Sequence, residues 1–359
     1  MSSPKINSNN DIKERSCFKS IPVSSGKESY VPQVTPDRHQ ATARKLKDKL
    51  NIATWNIRTL LQKGKLENIK QEMERMKLTI LGLSEVRWKE AGKITSGGHE
   101  IIYSGGTESE KGVGIIVDQM VSKAIKVYWA LSDRVLLVKI ARKPEDLNII
   151  QVHAPTANSN DEDLDKFYND LDTAKTQCKS QDPLIIMGDF NAKVGTDKVD
   201  DIVGKHGLGI RNERGEKLIE WCQTNNIIVG NTWFQQPPRR KWTWKSPVDE
   251  TRNQVDYMMI SKRYRNALLL AKTYPSADCY SDHGPVVGKF KLKVEKNSKP
   301  SANIKFDLAI LKTNQTIREK YQISVQNKFE GLGDAEEVEQ QREHFKSAIM
   351  EAATEVIQK

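Results

Sequence analysis

Between residues 50 and 293 the apolar side chains come in short runs, and many of these runs stop on a polar or charged residue. Runs that short, bounded by Gly, Asn, Asp and Pro, have the length of strands, whereas apolar residues recurring every three or four positions mark helices. Strands are predicted at 50–55, 78–83, 100–103, 113–117, 134–140, 147–152, 184–187, 227–229, 242–244, 254–260 and 285–293. Helices are predicted at 63–77, with Leu66, Ile69, Met73 and Met76 on one face, and at 161–179 and 213–224. The glycine pairs at 97–98 and 105–106 read as hairpin turns. Antiparallel hairpins without a series of βαβ units exclude a purely parallel sheet. The expected fold is α/β, with two packed sheets flanked by helices.

The flanks differ from this middle part. Residues 1–49 are rich in Ser, Asn, Pro and Lys, and their ten basic and five acidic residues supply half of the net charge of +10. With few large apolar groups to offset its ordering entropy, this arm is expected to be disordered. Its end, Arg44-Lys45-Leu46-Lys47-Asp48-Lys49, reads as a solvated basic linker, with a nuclear-import patch or a phosphate-contacting arm as the alternatives. Residues 294–359 open polar and then turn helical. Asp334 and Glu337 form a capping box there, and Phe345, Ile349, Ala352 and Val356 form an apolar stripe. No apolar stretch of about 18 residues exists and the N-terminus lacks an apolar core, so a membrane span and a secretory signal are not expected. Cys17, Cys178, Cys222 and Cys279 are scattered and read as free thiols of an intracellular protein.

The polar stops are the chemically informative residues. Thr54-Trp55-Asn56 closes the first strand and Ser84-Glu85 the second; Val152-His153-Ala154-Pro155 and Met187-Gly188-Asp189-Phe190-Asn191 close later ones. Asp256 interrupts the apolar run Val255-Asp256-Tyr257-Met258, and Ser281-Asp282-His283 opens the last strand. Taken singly, each is an ordinary turn or solvated group. Together they gather amides, carboxylates and imidazoles at strand ends of one domain. Burying Asp256 unpaired costs several kcal/mol, so it requires a partner; His283 is the candidate, the carboxylate fixing the imidazole tautomer. Glu85 with Asp282 or Asp189 suits a hard, oxygen-seeking cation such as Mg²⁺. The six histidines lack zinc-site spacing, and no P-loop, G-x-S-x-G elbow or Tyr-x-Asp-Asp occurs.

In that order and at those intervals, these motifs resemble the exonuclease/endonuclease/phosphatase superfamily, which includes apurinic/apyrimidinic endonucleases and DNase I. Trp55-Asn56-Ile57-Arg58-Thr59-Leu60, Gly207-Leu208-Gly209, Arg211-Asn212-Glu213-Arg214-Gly215, Asn231-Thr232-Trp233-Phe234 and Arg252-Asn253-Gln254-Val255-Asp256-Tyr257 are similar to the RTE/BovB-type branch of non-LTR retrotransposon endonuclease domains. The resemblance covers residues 50–293 and implies a DNase I-like four-layer fold. Residues 294–359 are similar to the connector that precedes the polymerase in full elements.

The resemblance implies a DNA endonuclease that nicks one strand of double-stranded DNA and leaves 3′-OH and 5′-phosphate ends. Its cofactor would be Mg²⁺, with Mn²⁺ as a substitute, and no other small molecule. Glu85 would be the main metal ligand, with Asn56 and Asp282 beside it. Asp189, held by Asn191, would activate the attacking water, and Asp256 would position His283 against the scissile phosphate. His153 stands where the family usually carries a tyrosine, and Arg58 where the repair enzymes carry an aspartate. Arg239, Arg240, Lys241, Trp242 and Trp244 would meet the DNA minor groove from a hairpin, basic groups on phosphates and aromatics as wedges. Such a substrate implies a nuclear location and no membrane; the sequence assigns no oligomeric state. Two other readings stand beside this one: a domesticated, catalytically weak DNA- or chromatin-binding module, and a hydrolase of inositol phosphates or sphingolipids, whose final motifs differ from Gln254-Val255-Asp256-Tyr257.

Overall fold

The computed structural model describes residues 33–34, 49–248, 251–292, 306–330 and 338–357. They fall into two units divided between Val294 and Glu295. In the first unit the strands are β1 (Gln33–Val34), β2 (Lys49–Asn56), β3 (Ile80–Ser84), β4 (Ala91–Ser96), β5 (His99–Ser104), β6 (Val113–Val117), β7 (Ile125–Ser132) and β8 (Val135–Ile140). They continue as β9 (Leu147–His153), β10 (Leu184–Asp189), β11 (Ile227–Val229), β12 (Trp244–Lys245), β13 (Arg252–Asn253), β14 (Asp256–Ser261), β15 (Leu268–Thr273) and β16 (Val286–Lys291). The helices are α1 (Lys65–Met76), α2 (Gln119–Ser122), α3 (Asp161–Thr176) and α4 (Glu213–Asn225).

Two seven-stranded sheets result, in the orders β1-β7-β8-β9-β10-β14-β11 and β15-β16-β2-β3-β6-β5-β4, with β12-β13 as a separate small hairpin. Only β9–β10 and β2–β3 pair in parallel, so the sheets are mixed, as the hairpin-rich sequence requires. Period-two alternation decides which layer each residue joins. Leu50 and Ile52 of β2 face the other sheet with Ile149, Ile185 and Met258, whereas Ala53 and Trp55 face outward under Ile69 and Met73 of α1. On the far side Ile150, Ile186 and Met259 are covered by Phe167 and Leu171 of α3 and by Leu218 and Cys222 of α4. The result is the expected four-layer DNase I-like arrangement, helix, sheet, sheet, helix, with one aliphatic core between the sheets and one under each helical layer.

Each boundary difference has a local cause. α1 starts at Lys65 rather than 63 because Gly64 takes a left-handed φ of 80° at its N-cap. α3 and α4 begin at Asn160 and Asn212, whose side chains accept the amides of Asp163 and Gly215. The 242–244 run yields only Trp244–Lys245 as strand. Gly97 and Gly98, both at positive φ, make the β4–β5 turn. Within the arm expected to be disordered, Gln33–Val34 pairs with β7; the rest of 1–48, including Arg44 to Asp48, lies outside the described residues.

The second unit contains α5 (Ile310–Thr313), α6 (Gln315–Glu330) and α7 (Val338–Val356). Phe329 and Phe345 meet with ring centroids 4.9 Å apart, and Lys328 lies 3.5 Å from Glu351 and 3.8 Å from Glu355. Among the α7 residues whose burial is described, 345–356, the buried positions are Ala348, Ala352 and Ala353, with Ile357 just beyond, so the stripe expected through Phe345 is rotated there and Phe345 itself is 53% exposed. Asp334 and Glu337, the capping pair, lie outside the described residues. Among those described, no helix is long and apolar enough to cross a membrane.

Candidate active site

The inward-facing columns of five strands run from aliphatic to polar and end on a candidate residue. Ile52 and Thr54 lead to Asn56, Ile80 and Gly82 to Ser84 and the adjacent Glu85, Ile149 and Gln151 to His153, Ile185 and Met187 to Asp189, and Ile260 and Met258 to Asp256. Pairing brings these ends to one edge. Asp189 sits opposite His153 in the parallel β9–β10 pair and opposite Asp256 in the antiparallel β10–β14 pair, and Asn56 pairs with Ser84. β16 runs antiparallel to β2, so the segment before it, Ser281 to His283, arrives at the same edge, where Ser281 Oγ donates to the Asn56 carbonyl at 2.6 Å.

A continuous chain of contacts follows. His283 Nδ1 is 2.9 Å from Asp256 Oδ2, and its Nε2 is 3.9 Å from Asp189 Oδ2. Asn56 Nδ2 donates to Asp189 Oδ2 and to Glu85 Oε1, both at 2.9 Å. Asp189 Oδ1 accepts the Asn191 backbone amide at 2.9 Å, and the Asn191 side chain donates to the Ala154 carbonyl at 3.0 Å. His153 Nε2 lies 4.0 Å from Glu85 Oε1, while its Nδ1 is buried without a hydrogen-bond partner. Asp282 takes the Trp244 indole N–H on Oδ2 at 3.0 Å and has Arg58 Nε 3.8 Å from Oδ1. Seven of the eight candidates are thus linked by polar approaches of 4.0 Å or less, and Asp282 adjoins His283 in sequence.

Electrostatics separates their roles. Burial alone would hold the His283 imidazole neutral, but Asp256, Asp189 and Asp282 reverse this and raise its pKa to about 9. Burial and the neighbouring Asp256 carboxylate push Asp189 above the usual carboxylate range, against the pull of His283, His153 and Asn56. For Glu85, burial pushes upward but hydrogen bonds from Asn56 and Arg87 and the nearby charges of His153 and Arg87 outweigh it, so its carboxyl lies below the usual range. Burial lowers His153 and keeps it neutral.

Of the five candidates expected at a hairpin, Arg239 and Arg240 lie instead in a 3-10 turn, Pro238–Arg240, that precedes the β12–β13 hairpin, and Arg239 is exposed. The Arg240 guanidinium lies 5.3 Å from the ring centre of Tyr274, Lys241 Nζ donates to the Gly207 carbonyl at 3.5 Å, and Arg252 stacks on Trp242 at 5.3 Å. Trp244 is half-buried, and its indole N–H donates to Asp282 Oδ2 at 3.0 Å. Three further groups hold these residues in place, of which Thr243 and Arg87 carry no sequence signal of their own, whereas Asn231 opens the motif Asn231-Thr232-Trp233-Phe234. Thr243 Oγ1 accepts the backbone amides of Val255 and Asp256. The Asn231 side chain bridges the Asp256 carbonyl and the Met258 amide. Arg87 Nη2 donates to Glu85 Oε2 at 2.7 Å, aimed there because both Glu85 and Arg87 adopt left-handed backbone, φ 57° and 60°.

Residues 53–283 match the Endonuclease/Exonuclease/phosphatase family, to which the chain belongs. It is 41% identical over 257 residues to craniofacial development protein 2 of Bos taurus, spanning 71% of this chain and 43% of that protein. Against craniofacial development protein 2 of Tragulus javanicus it is 40% identical over 265 residues, 74% of this chain and 46% of that protein. The chain therefore spans less than half the length of these curated relatives. Among solved structures it resembles the endonuclease domain of TRAS1, a telomere-specific non-LTR retrotransposon (TM-score 0.51, 13% identity, 68% of this chain and 99% of that one). It also resembles the AP endonuclease LMAP of Leishmania major (TM-score 0.51, 12% identity, 72% and 93%). At these identities the likeness is one of fold.

Proposed function

We propose that this protein is a Mg²⁺-dependent endodeoxyribonuclease that hydrolyses one phosphodiester of double-stranded DNA and leaves 3′-OH and 5′-phosphate ends. The observation that carries the reading is the unbroken chain Asp256–His283–Asp189–Asn56–Glu85 at one edge of the sandwich. On this reading residues 50–293 are the catalytic domain, 1–49 a basic arm and 294–359 a connector. The match to retroelement motifs supports an origin in a non-LTR retrotransposon, and a DNA substrate goes with a nuclear location.

The donor set fits a hard divalent cation. Asp282 Oδ1 and Asp256 Oδ1 are buried carboxylate oxygens without a hydrogen-bond partner, the kind of atom a cation satisfies. Glu85, Asp282 and the Asn56 amide would hold the ion on one side, and Asp189, Asp256 and His283, whose ligand atoms all lie within 4.8 Å of one another, form an adjoining group. When bound, Mg²⁺ supplies charge neutralisation for the phosphate and the departing oxygen.

The remaining work falls to the chain itself. Asp189, its two oxygens fixed by the Asn191 amide and the Asn56 side chain, has its pKa pushed above the usual carboxylate range by burial and Asp256, and is poised to take a proton from the attacking water. Asp256 holds His283 by Nδ1, so that Nε2–H of a cationic imidazole can donate to a phosphate oxygen as negative charge builds there. A supercoiled-plasmid nicking assay decides the matter: Glu85→Ala and His283→Ala should each lose almost all Mg²⁺-dependent nicking, and equal activity of either with wild type refutes the reading.

One observation favours a second reading, a DNA-binding module of weak turnover. His153, standing where the family usually has a tyrosine, is neutral and leaves Nδ1 buried and unpartnered. Salt-dependent DNA binding without cleavage would select that reading, and nicking restored by His153→Tyr would identify His153 as the cause.

A further inference from the structure

Directly beneath the site, the aliphatic filling between the two sheets is interrupted by three wholly buried polar side chains, Thr54 on β2, Ser84 on β3 and Gln151 on β9. The Gln151 amide nitrogen lies 3.2 Å from Thr54 Oγ1 and 3.1 Å from Ser84 Oγ, Thr54 Oγ1 is 3.2 Å from the Gln151 amide oxygen, and Ser84 Oγ donates to the Val152 carbonyl at 2.9 Å. β2 and β3 belong to one sheet and β9 to the other, so one amide ties both sheets together at this level. Space for it is provided by Gly82: a Cβ there would collide with the Gln151 amide, although the Gly82 backbone does not take the left-handed conformation that would itself call for glycine.

Each member of this layer immediately precedes a site residue. Thr54 lies two positions before Asn56 and Gln151 two before His153, on the same strand faces, and Ser84 adjoins Glu85. The site spans the gap between the sheets, since Asn56 of one sheet holds Asp189 of the other at 2.9 Å. A buried amide costs stability unless its bonds are made, and leucine or methionine would fill the same volume without that risk. We infer that Gln151 is a positioning residue that sets the spacing of the two sheets at the site, and thereby the placement of Asn56 and Glu85 against Asp189. The inference deepens the proposed nuclease reading and rests on it for its kinetic test.

The test compares Gln151→Met, similar in volume but unable to make these bonds, with Asn148→Leu. Asn148 is another buried amide of β9, at the opposite end of the strand, where its Nδ2 meets Asp182 at 3.4 Å. Four quantities are read: the urea midpoint, Mn²⁺ affinity of the DNA-free protein by calorimetry, and kcat and KM for plasmid nicking. Both variants should lose stability. Gln151→Met alone should weaken Mn²⁺ binding several-fold and lower kcat by about 10- to 100-fold at unchanged KM, the scale of effect that small misplacements produce. Wild-type Mn²⁺ affinity and kcat in folded Gln151→Met, or equal losses in Asn148→Leu, would overturn the inference. Should Gln151→Met not fold, Ser84→Ala, which removes a single hydroxyl of the layer, is judged by the same criteria. If the wild type itself does not nick DNA, the nuclease reading fails, and the Mn²⁺ affinities still decide whether Gln151 positions the site.

Discussion

Asp189 and Asp256 stand directly opposite each other across β10 and β14, both about 1% exposed, and the His283 imidazole reaches both of them, 2.9 Å from Asp256 and 3.9 Å from Asp189. Two like charges placed opposite one another in a sheet are destabilising unless something neutralises them. The imidazole, whose pKa these carboxylates raise to about 9, can do so by carrying a proton at neutral pH.

That arrangement predicts a pH dependence. A histidine whose pKa is raised on folding stabilises the native state fully below its unfolded value of about 6.5, and the contribution is lost as pH rises through about 9. Urea midpoints in EDTA should therefore fall between neutrality and pH 10 more steeply for wild type than for His283→Asn. Parallel pH profiles for the two proteins would show that the imidazole is not the charged member of the cluster.

Trp244 bears on the metal site through Asp282. Its indole N–H to a carboxylate is a charge-assisted bond, and the segment is held further by the Lys245 amide on the Asp282 carbonyl at 3.0 Å. Trp244→Phe keeps the ring but frees the carboxylate to rotate. The Mg²⁺ concentration for half-maximal nicking should rise about 3- to 10-fold, equivalent to a hydrogen bond of about 1 kcal/mol, with kcat at saturating Mg²⁺ close to wild type. A Mg²⁺ titration of nicking reads the shift; an unmoved half-point with weaker DNA binding would return Trp244 to the role of a DNA contact.

Gly188 is required by the close approach of β10 to β9 just before Asp189. Its φ is 150°, and a Cβ would run into the Val152 carbonyl oxygen, a backbone atom that cannot swing aside. Gly188→Ala should cost about 3 kcal/mol or more, the range of severe core lesions, measured as a drop in the urea midpoint. It should also disturb Asp189, whose amide and carbonyl lie in the same ladder.

Much of this was readable from residue order alone. The strands 113–117 and 227–229 coincide with β6 and β11, because unbroken apolar runs between turn residues leave few alternatives. β4, by contrast, is an edge strand with a single large apolar residue, Ile94, and β7 is interrupted by two register shifts, so neither carries a clean period. The site residues were legible as polar stops because a strand buried on both faces can end on a polar group only at the rim. What surrounds them was not. Arg87 reaches Glu85 only because two non-glycine residues adopt left-handed backbone, Thr243 and Gln151 act through partners more than ten residues away in sequence, and so does Trp244 through its bond to Asp282.

The two arginines of the Pro238–Arg240 turn should separate by their surroundings. Arg239 is exposed, so on the nuclease reading its charge is free for phosphate contact, whereas Arg240 is half-buried against Tyr274. A phosphate-contacting cation releases counterions on binding and steepens the dependence of affinity on salt. Arg239→Ala should weaken DNA binding without altering the urea midpoint and reduce the slope of log K against log salt by about 1. Arg240→Ala should give up a cation–π contact worth about 0.5–1 kcal/mol and so lower the midpoint, with a smaller change in the salt slope. Binding isotherms in Ca²⁺ at four or five salt concentrations, paired with denaturation of each variant, distinguish the two. Equal salt slopes for wild type and Arg239→Ala would remove Arg239 from the DNA interface.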